Sequence, residues 1–218
     1  KTARMLAKTR DYRIAVCFHD KEAEFWQQIR CGVDKASQEY QTMGVQVIPF
    51  ILPQIDVEEQ LKVIRKVIDE RYDGLAIVPY FSEEIVRALN EAVEKGVAVV
   101  TFNNREQGVH ACYVGTDGVQ SGRTAGRLMA MLAAQNSCFI VFSPETMMTQ
   151  LDERLEGFRQ VLARCRPDMQ CRGIYRFGED YEGMYEFALR TIQRHEIDAI
   201  YATYSAVSVV GDAVRDAN

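Results

Sequence analysis

Residues 97–126 read VAVVTFNNREQGVHACYVGTDGVQSGRTAG, and the fold is inferred outward from this stretch. It contains two apolar runs of strand length, Val97 to Phe102 and His110 to Val114, with a polar loop between them. After Asp117 the sequence becomes rich in small residues and has no further strand-like run before Cys138. Strand-sized apolar runs separated by polar turns and longer segments are typical of chains that alternate strands and helices.

The same alternation extends in both directions along the chain. The strand-like runs are Tyr12–Phe18, Val45–Ile51, Gly74–Val78, Val97–Phe102, His110–Val114, Cys138–Phe142, Arg172–Phe177 and Asp198–Ala202. Between most of them lie helix-like segments of about 12 to 18 residues, the spacing of right-handed β-α-β units. The sequence therefore predicts an α/β fold built on doubly wound parallel sheets.

Helix signals support this reading. Two sets of apolar residues recur at three- and four-residue steps and predict helix faces buried in the core: Phe25, Ile29, Val33 and Ala36 in the first helix, and Leu61, Ile64, Val67 and Ile68 in the second. Ser82 is expected to cap the helix after the third strand, and Gly96 to end it.

Composition limits the classes of function. The 218 residues carry 26 basic and 31 acidic side chains, a formal charge of -5, so the chain as a whole has no electrostatic footprint for nucleic acid. A local exception is the basic amino end, with Arg4, Lys8 and Arg10. No apolar run approaches the roughly 18 residues of a membrane span, and the first thirty residues lack the order of a secretory signal.

The six cysteines are scattered, and no pair has the two-residue gap of a zinc or redox site. Cys17, Cys112 and Cys138 lie in strand-like runs, where cysteine packs as a small hydrophobe. We therefore expect reduced thiols, no metal and a cytoplasmic location.

Enzymatic functions find little support in the loops after the strands, where α/β proteins place their ligands. FHDKEAEF, at the end of the first strand, has no glycine, which disfavours NAD and nucleotide phosphates. No GxSxG elbow is present, and His19, His110 and His195 lie far apart. The carboxylate pairs Asp152–Glu153 and Glu179–Asp180 are more typical of helix starts than of catalysis. We expect neither catalysis nor a cofactor.

Several stretches resemble the type I periplasmic-binding-protein fold. The most specific is Val114-Gly115-Thr116-Asp117-x4-Gly122-x2-Ala125-Gly126. The others are Phe25-Trp26-x-x-Ile29-x-x-Gly32-Val33-x-x-Ala36, Gly74–Val78, Val97–Asn103, Arg154–Phe158 and Asp198–Ala202. The resemblance runs in order from residue 12 to residue 218. It implies a first lobe over 11–116 and a second over 117–218 that is incomplete, because the family continues past the position of Asn218.

The first ten residues, KTARMLAKTR, are similar to the hinge of lactose-repressor/galactose-repressor (LacI/GalR) regulators. In that family a short helix follows the DNA-reading headpiece and inserts a leucine into the minor groove. By position the leucine would be Leu6, with Arg4 among the basic residues able to meet phosphates. The alternative is an ordinary basic entry into the first strand.

In the first lobe, the resemblance places the ligand in the loops after the first and fourth strands. The sugar-stacking aromatics of the family fall on Phe25 and Trp26, although Phe25 could equally be a core residue. The polar residue at the start of this loop falls on His19 or Asp20, and either could bind the ligand or cap a helix. The family's Asp-Arg pair is replaced by Asn103 and Asn104, which suit a neutral polyol. The following Arg105 could clamp an anion or face water.

In the second lobe, the resemblance places ligand contacts on four residues. Asp152 stands where sugar receptors carry a binding arginine, and Arg154 matches a position that is either structural or ligand-binding. Tyr181 and Tyr204 could close or line the pocket. A ligand bridging the lobes would favour a closed state and so alter the DNA affinity of a dimer.

The resemblance thus implies the effector domain of a dimeric LacI-type regulator that binds a sugar, polyol or related metabolite and, through hinge and headpiece, operator DNA. The alternative is an exported solute-binding protein of a transport system.

Overall fold

A computed structural model describes residues 11–19, 24–145, 148–177, 181–194, 197–204 and 207–217. These residues form eight strands and seven helices, and the chain divides into two compact units between Gly115 and Thr116. We call them unit 1 and unit 2. Each of the eight predicted strands is present, with ends shifted by two residues at most.

Unit 1 is a five-stranded parallel sheet with three helices. Its strands are β1 (Tyr12–His19), β2 (Val45–Leu52), β3 (Gly74–Ile77), β4 (Ala98–Phe102) and β5 (Cys112–Val114), and its helices are α1 (Glu24–Gln41), α2 (Val57–Asp69) and α3 (Glu83–Glu94). The strand order is β2-β1-β3-β4-β5. The predicted signals for α3 are confirmed: the Ser82 hydroxyl accepts the amide proton of Glu84 at 3.2 Å, and Gly96 has φ +87 after the last turn.

The two faces of the unit 1 sheet are covered unequally. Helices α2 and α3 pack on one face, where Ala15 and Cys17 of β1 join a continuous buried core with Ile64 and Leu89. The alternate residue Phe18 lies on the opposite face, against Trp26 of α1, because successive side chains of a strand point to opposite faces.

The first predicted helix stripe is only partly correct. Ile29, Val33 and Ala36 of α1 are half-buried and Phe25 is exposed, whereas Leu61, Ile64 and Val67 of α2 are fully buried. Among the described helices, α1 alone packs on its face of the sheet and so lacks the flanking helix that α2 and α3 give each other.

Unit 2 has a three-stranded parallel sheet of order β7-β6-β8. Its strands are β6 (Cys138–Pro144), β7 (Gln170–Phe177) and β8 (Ala199–Ala202), and its helices are α4 (Gly118–Leu132), α5 (Thr149–Cys165), α6 (Tyr181–Arg194) and α7 (Val207–Ala217). Phe139 and Val141 of β6 pack towards α4 and α5, and Ile140 and Phe142 towards α6 and α7. Both faces are therefore covered by helices, as the doubly wound prediction requires.

The close packing of α4 on α5 explains much of the sequence block that suggested the fold. The Asp117 carboxylate caps α4 by accepting the amide proton of Gln120 at 2.8 Å. A Cβ atom at Gly122 would overlap the carbonyl oxygen of Arg154, and one at Gly157 would overlap that of Val119. Only glycine permits this distance between the helix backbones.

Candidate functional site

The strand orders place a topological switch point in each unit. In unit 1 the chain leaves β1 towards β2 and returns to β3 on the other side of β1; in unit 2, β7 and β8 flank β6 in the same way. Ligands of open α/β sheets bind outside the carboxyl ends of the strands at such points. Each unit therefore has its own candidate site, at the carboxyl ends of its strands.

At the end of β1 lies an aromatic cluster centred on Trp26. The Trp26 ring lies 4.0 Å from the His19 ring, 5.0 Å from Phe25 and 6.4 Å from Phe18, between centroids. His19 and Trp26 are buried, at 0% and 6% exposure, while Phe25 is 39% exposed. Of the two predicted stacking aromatics, Phe25 has the ring available to solvent. The reading of Phe25 as a core residue is wrong, and His19 contributes a ring contact inside the cluster.

The loop after β3 contributes residues that the sequence analysis did not include. Gln60 of α2 is fully buried; its amide donates to the Val78 carbonyl at 2.9 Å and its oxygen accepts the Tyr80 amide proton at 3.0 Å. The Tyr80 ring lies 5.9 Å from that of His19, and the adjacent Phe81 is 61% exposed. The signal available in the sequence was a pair of aromatics directly after an apolar strand.

The loop after β4 turns sharply at Asn103, which has φ +60. Asn104 is fully buried, and its amide donates to the Pro79 carbonyl at 2.7 Å and to a Glu106 carboxyl oxygen at 3.1 Å. Asn104 thus joins two loops through its amide protons. The resemblance predicts that both carboxamides face a ligand. The Asn104 amide instead donates inside the protein, whereas for the half-buried Asn103 this role stays a prediction.

Arg105 and Glu106 differ strongly in environment. Arg105 is exposed, with its guanidinium 5.8 Å above the centre of the Tyr113 ring. Glu106 is 6% exposed, and burial raises the pKa of its carboxyl group to about 7, although the Asn104 hydrogen bond acts in the opposite direction. A buried carboxyl group at this edge was not predicted.

In unit 2 a buried polar network joins the ends of β6 and β8. The Thr203 hydroxyl donates to the Ser143 hydroxyl at 3.1 Å, and the Arg154 guanidinium donates to the Thr203 carbonyl at 2.7 Å. A second nitrogen of Arg154 lies 3.5 Å from the Gln150 side-chain oxygen. The buried Nε of Arg154 has no acceptor among the described residues. Of the two roles considered for Arg154, these contacts support the structural one.

The remaining predicted residues of unit 2 lie around this network. Asp152, in the first turn of α5, forms an ion pair of 2.6 Å with Arg176 near the end of β7, and both side chains are largely exposed. The hydroxyl of Tyr204 lies 3.1 Å from the Met184 sulfur, which directs it towards the core. Asp152 and Arg176 thus form a charged pair that this edge presents to solvent.

Some predictions fall outside the described part of the chain. They concern Arg4, Leu6, Asp20, the pair Glu179–Asp180 and the side chain of Tyr181. Within the described residues no group of three or more His, Cys, Asp or Glu could hold a metal ion, and all six cysteines are free thiols. In the same residues, no helix combines the length and apolar character of a membrane span.

Comparisons with known proteins agree with this geometry. A family model described as a periplasmic binding protein domain matches residues 14–218. The D-ribose/D-allose-binding protein of Pseudomonas aeruginosa is 22% identical over an alignment of 157 residues, which covers 69% of this chain and 49% of that protein. The match therefore spans about half the length of this curated relative.

Two solved structures illustrate the range of similar proteins. A glucose-galactose binding protein from Geobacillus stearothermophilus aligns with a TM-score of 0.82 at 20% identity, covering 95% of this chain and 74% of that one. A protein described as a LacI transcriptional regulator from Bacteroides fragilis aligns with a TM-score of 0.79 at 18% identity, covering 95% and 74%. At these identities the likeness shows the fold, which is of the type I periplasmic-binding-protein kind. Because the family model covers nearly the whole chain, the protein belongs to the periplasmic binding protein domain family.

Proposed function

We propose that this protein is a receptor for a small neutral sugar or related polyol, of the kind that serves sugar transport. The observation that carries the proposal is the composition of the unit 1 edge, where the exposed aromatics Phe25 and Phe81 and the half-buried Asn103 follow the strands β1, β3 and β4. Aromatic faces suit the C–H face of a sugar ring, and amides can donate to and accept from its hydroxyls.

The relatives support the same reading. The curated relative is named for D-ribose and D-allose, and a solved relative for glucose and galactose. These names describe sugar-binding proteins, which favours the solute-binding alternative over the main reading, a regulator.

Binding is tested by calorimetric titration of the protein with pentoses, hexoses, polyols, sugar acids and sugar phosphates. We expect a neutral sugar to bind, and Phe81→Ala to weaken its affinity about tenfold, because loss of a stacked ring is worth roughly 1 kcal/mol or more. The matched control is Tyr40→Ala, since Tyr40 is also exposed but lies at the far end of α1.

The two variants separate the possible results. Equal affinity in Phe81→Ala and Tyr40→Ala would remove the stacking role of Phe81. Binding of a sugar acid alone would contradict the neutral ligand, and no heat with any compound would contradict the sugar-receptor proposal itself.

A regulatory role is the second candidate, favoured by the similarity to the Bacteroides fragilis protein. A regulator of this kind would be a cytoplasmic homodimer that binds operator DNA. Arg4 and Leu6 would lie in its DNA-contacting hinge. Sequencing of the gene upstream of Lys1 distinguishes the two candidates, because a helix-turn-helix segment supports a regulator and a secretory signal supports a receptor.

A further inference from the structure

The loops after β3 and β4 are held together by one buried side chain. Asn104, with 0% exposure, donates to the Pro79 carbonyl at 2.7 Å, and Pro79 directly precedes Tyr80 and the exposed Phe81. The turn that carries Asn104 is itself fixed by two backbone hydrogen bonds. The backbone N–H of Asn103 donates to the Val114 carbonyl at 3.1 Å, and that of Asn104 donates to the Phe102 carbonyl at 2.7 Å. The position of the Phe81 loop therefore depends on the orientation of the Asn104 amide group.

Glu106 sets that orientation. One of its carboxyl oxygens accepts from the same Asn104 nitrogen at 3.1 Å, so the two amide protons point to Pro79 and to Glu106. The Glu106 side chain is itself buried, at 6% exposure. A carboxyl group in this position can keep the hydrogen bond and stay buried as long as it is neutral, whereas its charged form is costly to keep away from water.

We propose that Glu106 is a pH-sensitive positioning residue that, through Asn104, holds the loops after β3 and β4 in the sugar-binding arrangement when protonated and releases them when ionised. The part that concerns sugar affinity rests on the proposed function. The part that concerns the loops does not.

The electrostatic surroundings place the transition near neutrality. Burial raises the pKa of Glu106 to about 7. Among the described residues, the Asn104 hydrogen bond opposes this shift and no ionisable side chain adds to it. The charged residue next to it in the chain, Arg105, lies over the ring of Tyr113 on β5. At pH 6 most molecules would carry the proton, and at pH 8 about one in ten would.

The loop part is tested by NMR of the ligand-free protein. The side-chain amide signals of Asn104 are followed from pH 5.5 to pH 8.5 in the wild type and in Glu106→Gln. We expect the wild-type signals to shift with a midpoint near pH 7 and those of Glu106→Gln to stay constant, because glutamine offers the same oxygen acceptor without a titrating proton.

The sugar part is tested by titration with D-ribose and D-allose at pH 6 and pH 8. We expect the wild-type Kd to rise about tenfold at pH 8, in proportion to the lost competent fraction, and the Kd of Glu106→Gln to change less than twofold. Glu106→Ala is expected to weaken binding at both pH values, since it removes the second acceptor of the Asn104 side-chain amide.

The outcomes are separable. Constant wild-type Asn104 signals, a midpoint below pH 5.5, or the same transition in Glu106→Gln would each overturn the role of Glu106. A titrating Asn104 with an unchanged sugar Kd would overturn its coupling to ligand. If neither these sugars nor the wider panel bound at either pH, the proposed function would fail, while the NMR titration would still decide the role of Glu106 in the loops.

Discussion

At the scale of single residues, Tyr80 provides a direct test of the polar packing at the unit 1 edge. Its side chain is fully buried, and its hydroxyl has no hydrogen-bond partner among the described residues. Burial accordingly raises the pKa of this phenol. Because removing an unsatisfied buried hydroxyl costs little, we expect Tyr80→Phe to change the free energy of unfolding by less than about 0.5 kcal/mol or to increase it by up to about 1 kcal/mol. Urea denaturation measures the difference.

The contrasting variant is Gln60→Leu, which removes two satisfied hydrogen bonds from the same cluster. It leaves the Val78 carbonyl and the Tyr80 amide without partners, and we expect a loss of about 2 kcal/mol or more. A comparable loss in Tyr80→Phe would show that the hydroxyl has a partner and would contradict the prediction.

The sequence predicted which strand each site residue follows, but it did not predict whether the side chain is buried. It placed Asn103 and Asn104 directly after β4, and Trp26 in the first helix after β1, because a residue's position after an apolar run is visible in the sequence. Whether a side chain points to solvent depends on the neighbouring loop, which comes from a distant part of the chain. Asn104 is buried because it meets Pro79, a contact between residues 25 positions apart.

At the scale of elements, Gly122 and Gly157 allow α4 and α5 to pack closely. Gly122 belongs to the sequence block Val114–Gly126, which is typical of the fold. A methyl group at Gly122 meets the backbone of Arg154, which cannot move without displacing α5. We expect Gly122→Ala to destabilise unit 2 by roughly 2 kcal/mol or more, as overpacking does. The measurement is thermal unfolding followed by circular dichroism.

The matched control is Gly32→Ala in α1. A Cβ atom there has no neighbour within 4 Å, so the substitution should stabilise α1 by roughly 0.5 to 1 kcal/mol through helix propensity alone. Similar effects of the two substitutions would show that the α4–α5 contact is looser than the structure indicates.

Periodicity predicted the presence of the elements better than the depth at which they pack. The stripe of α2 is buried because α3 lies beside it on the same sheet face, as the residues shared by one core cluster show. The stripe of α1 has the same three- and four-residue spacing, but its residues are half-buried or, at Phe25, exposed. Periodicity reports which face of a helix is apolar, and the number of neighbouring helices, a property of the sheet, decides how much of that face is covered.

At the scale of the whole molecule, two carboxyl groups with opposite pKa shifts set the expected pH dependence of stability. Glu106 in unit 1 has a raised pKa, so the folded state holds a proton that the unfolded chain releases, and stability falls as pH rises from about 4.5 through 7. Asp168 in unit 2 accepts from Nε and Nη2 of the Arg166 guanidinium, at 2.9 and 2.8 Å, and from the backbone N–H of Asn136 at 2.8 Å. These bonds hold its pKa well below the usual range, so its contribution is present above the pKa of the unfolded chain and is lost at lower pH.

We therefore expect the free energy of unfolding to be greatest at about pH 4 to 4.5 and to decline on both sides. Urea denaturation at intervals from pH 3 to pH 8.5 gives the profile. Glu106→Gln should flatten the decline between about pH 4.5 and pH 7, a difference of roughly 1 to 3 kcal/mol at pH 8, because the glutamine needs no proton to stay buried. Asp168→Asn should flatten the acid side and leave the alkaline side as in the wild type. A wild-type profile that rises steadily from pH 5 to pH 8 would show that Glu106 is ionised in the folded protein, and would contradict both its burial and its role in holding Asn104.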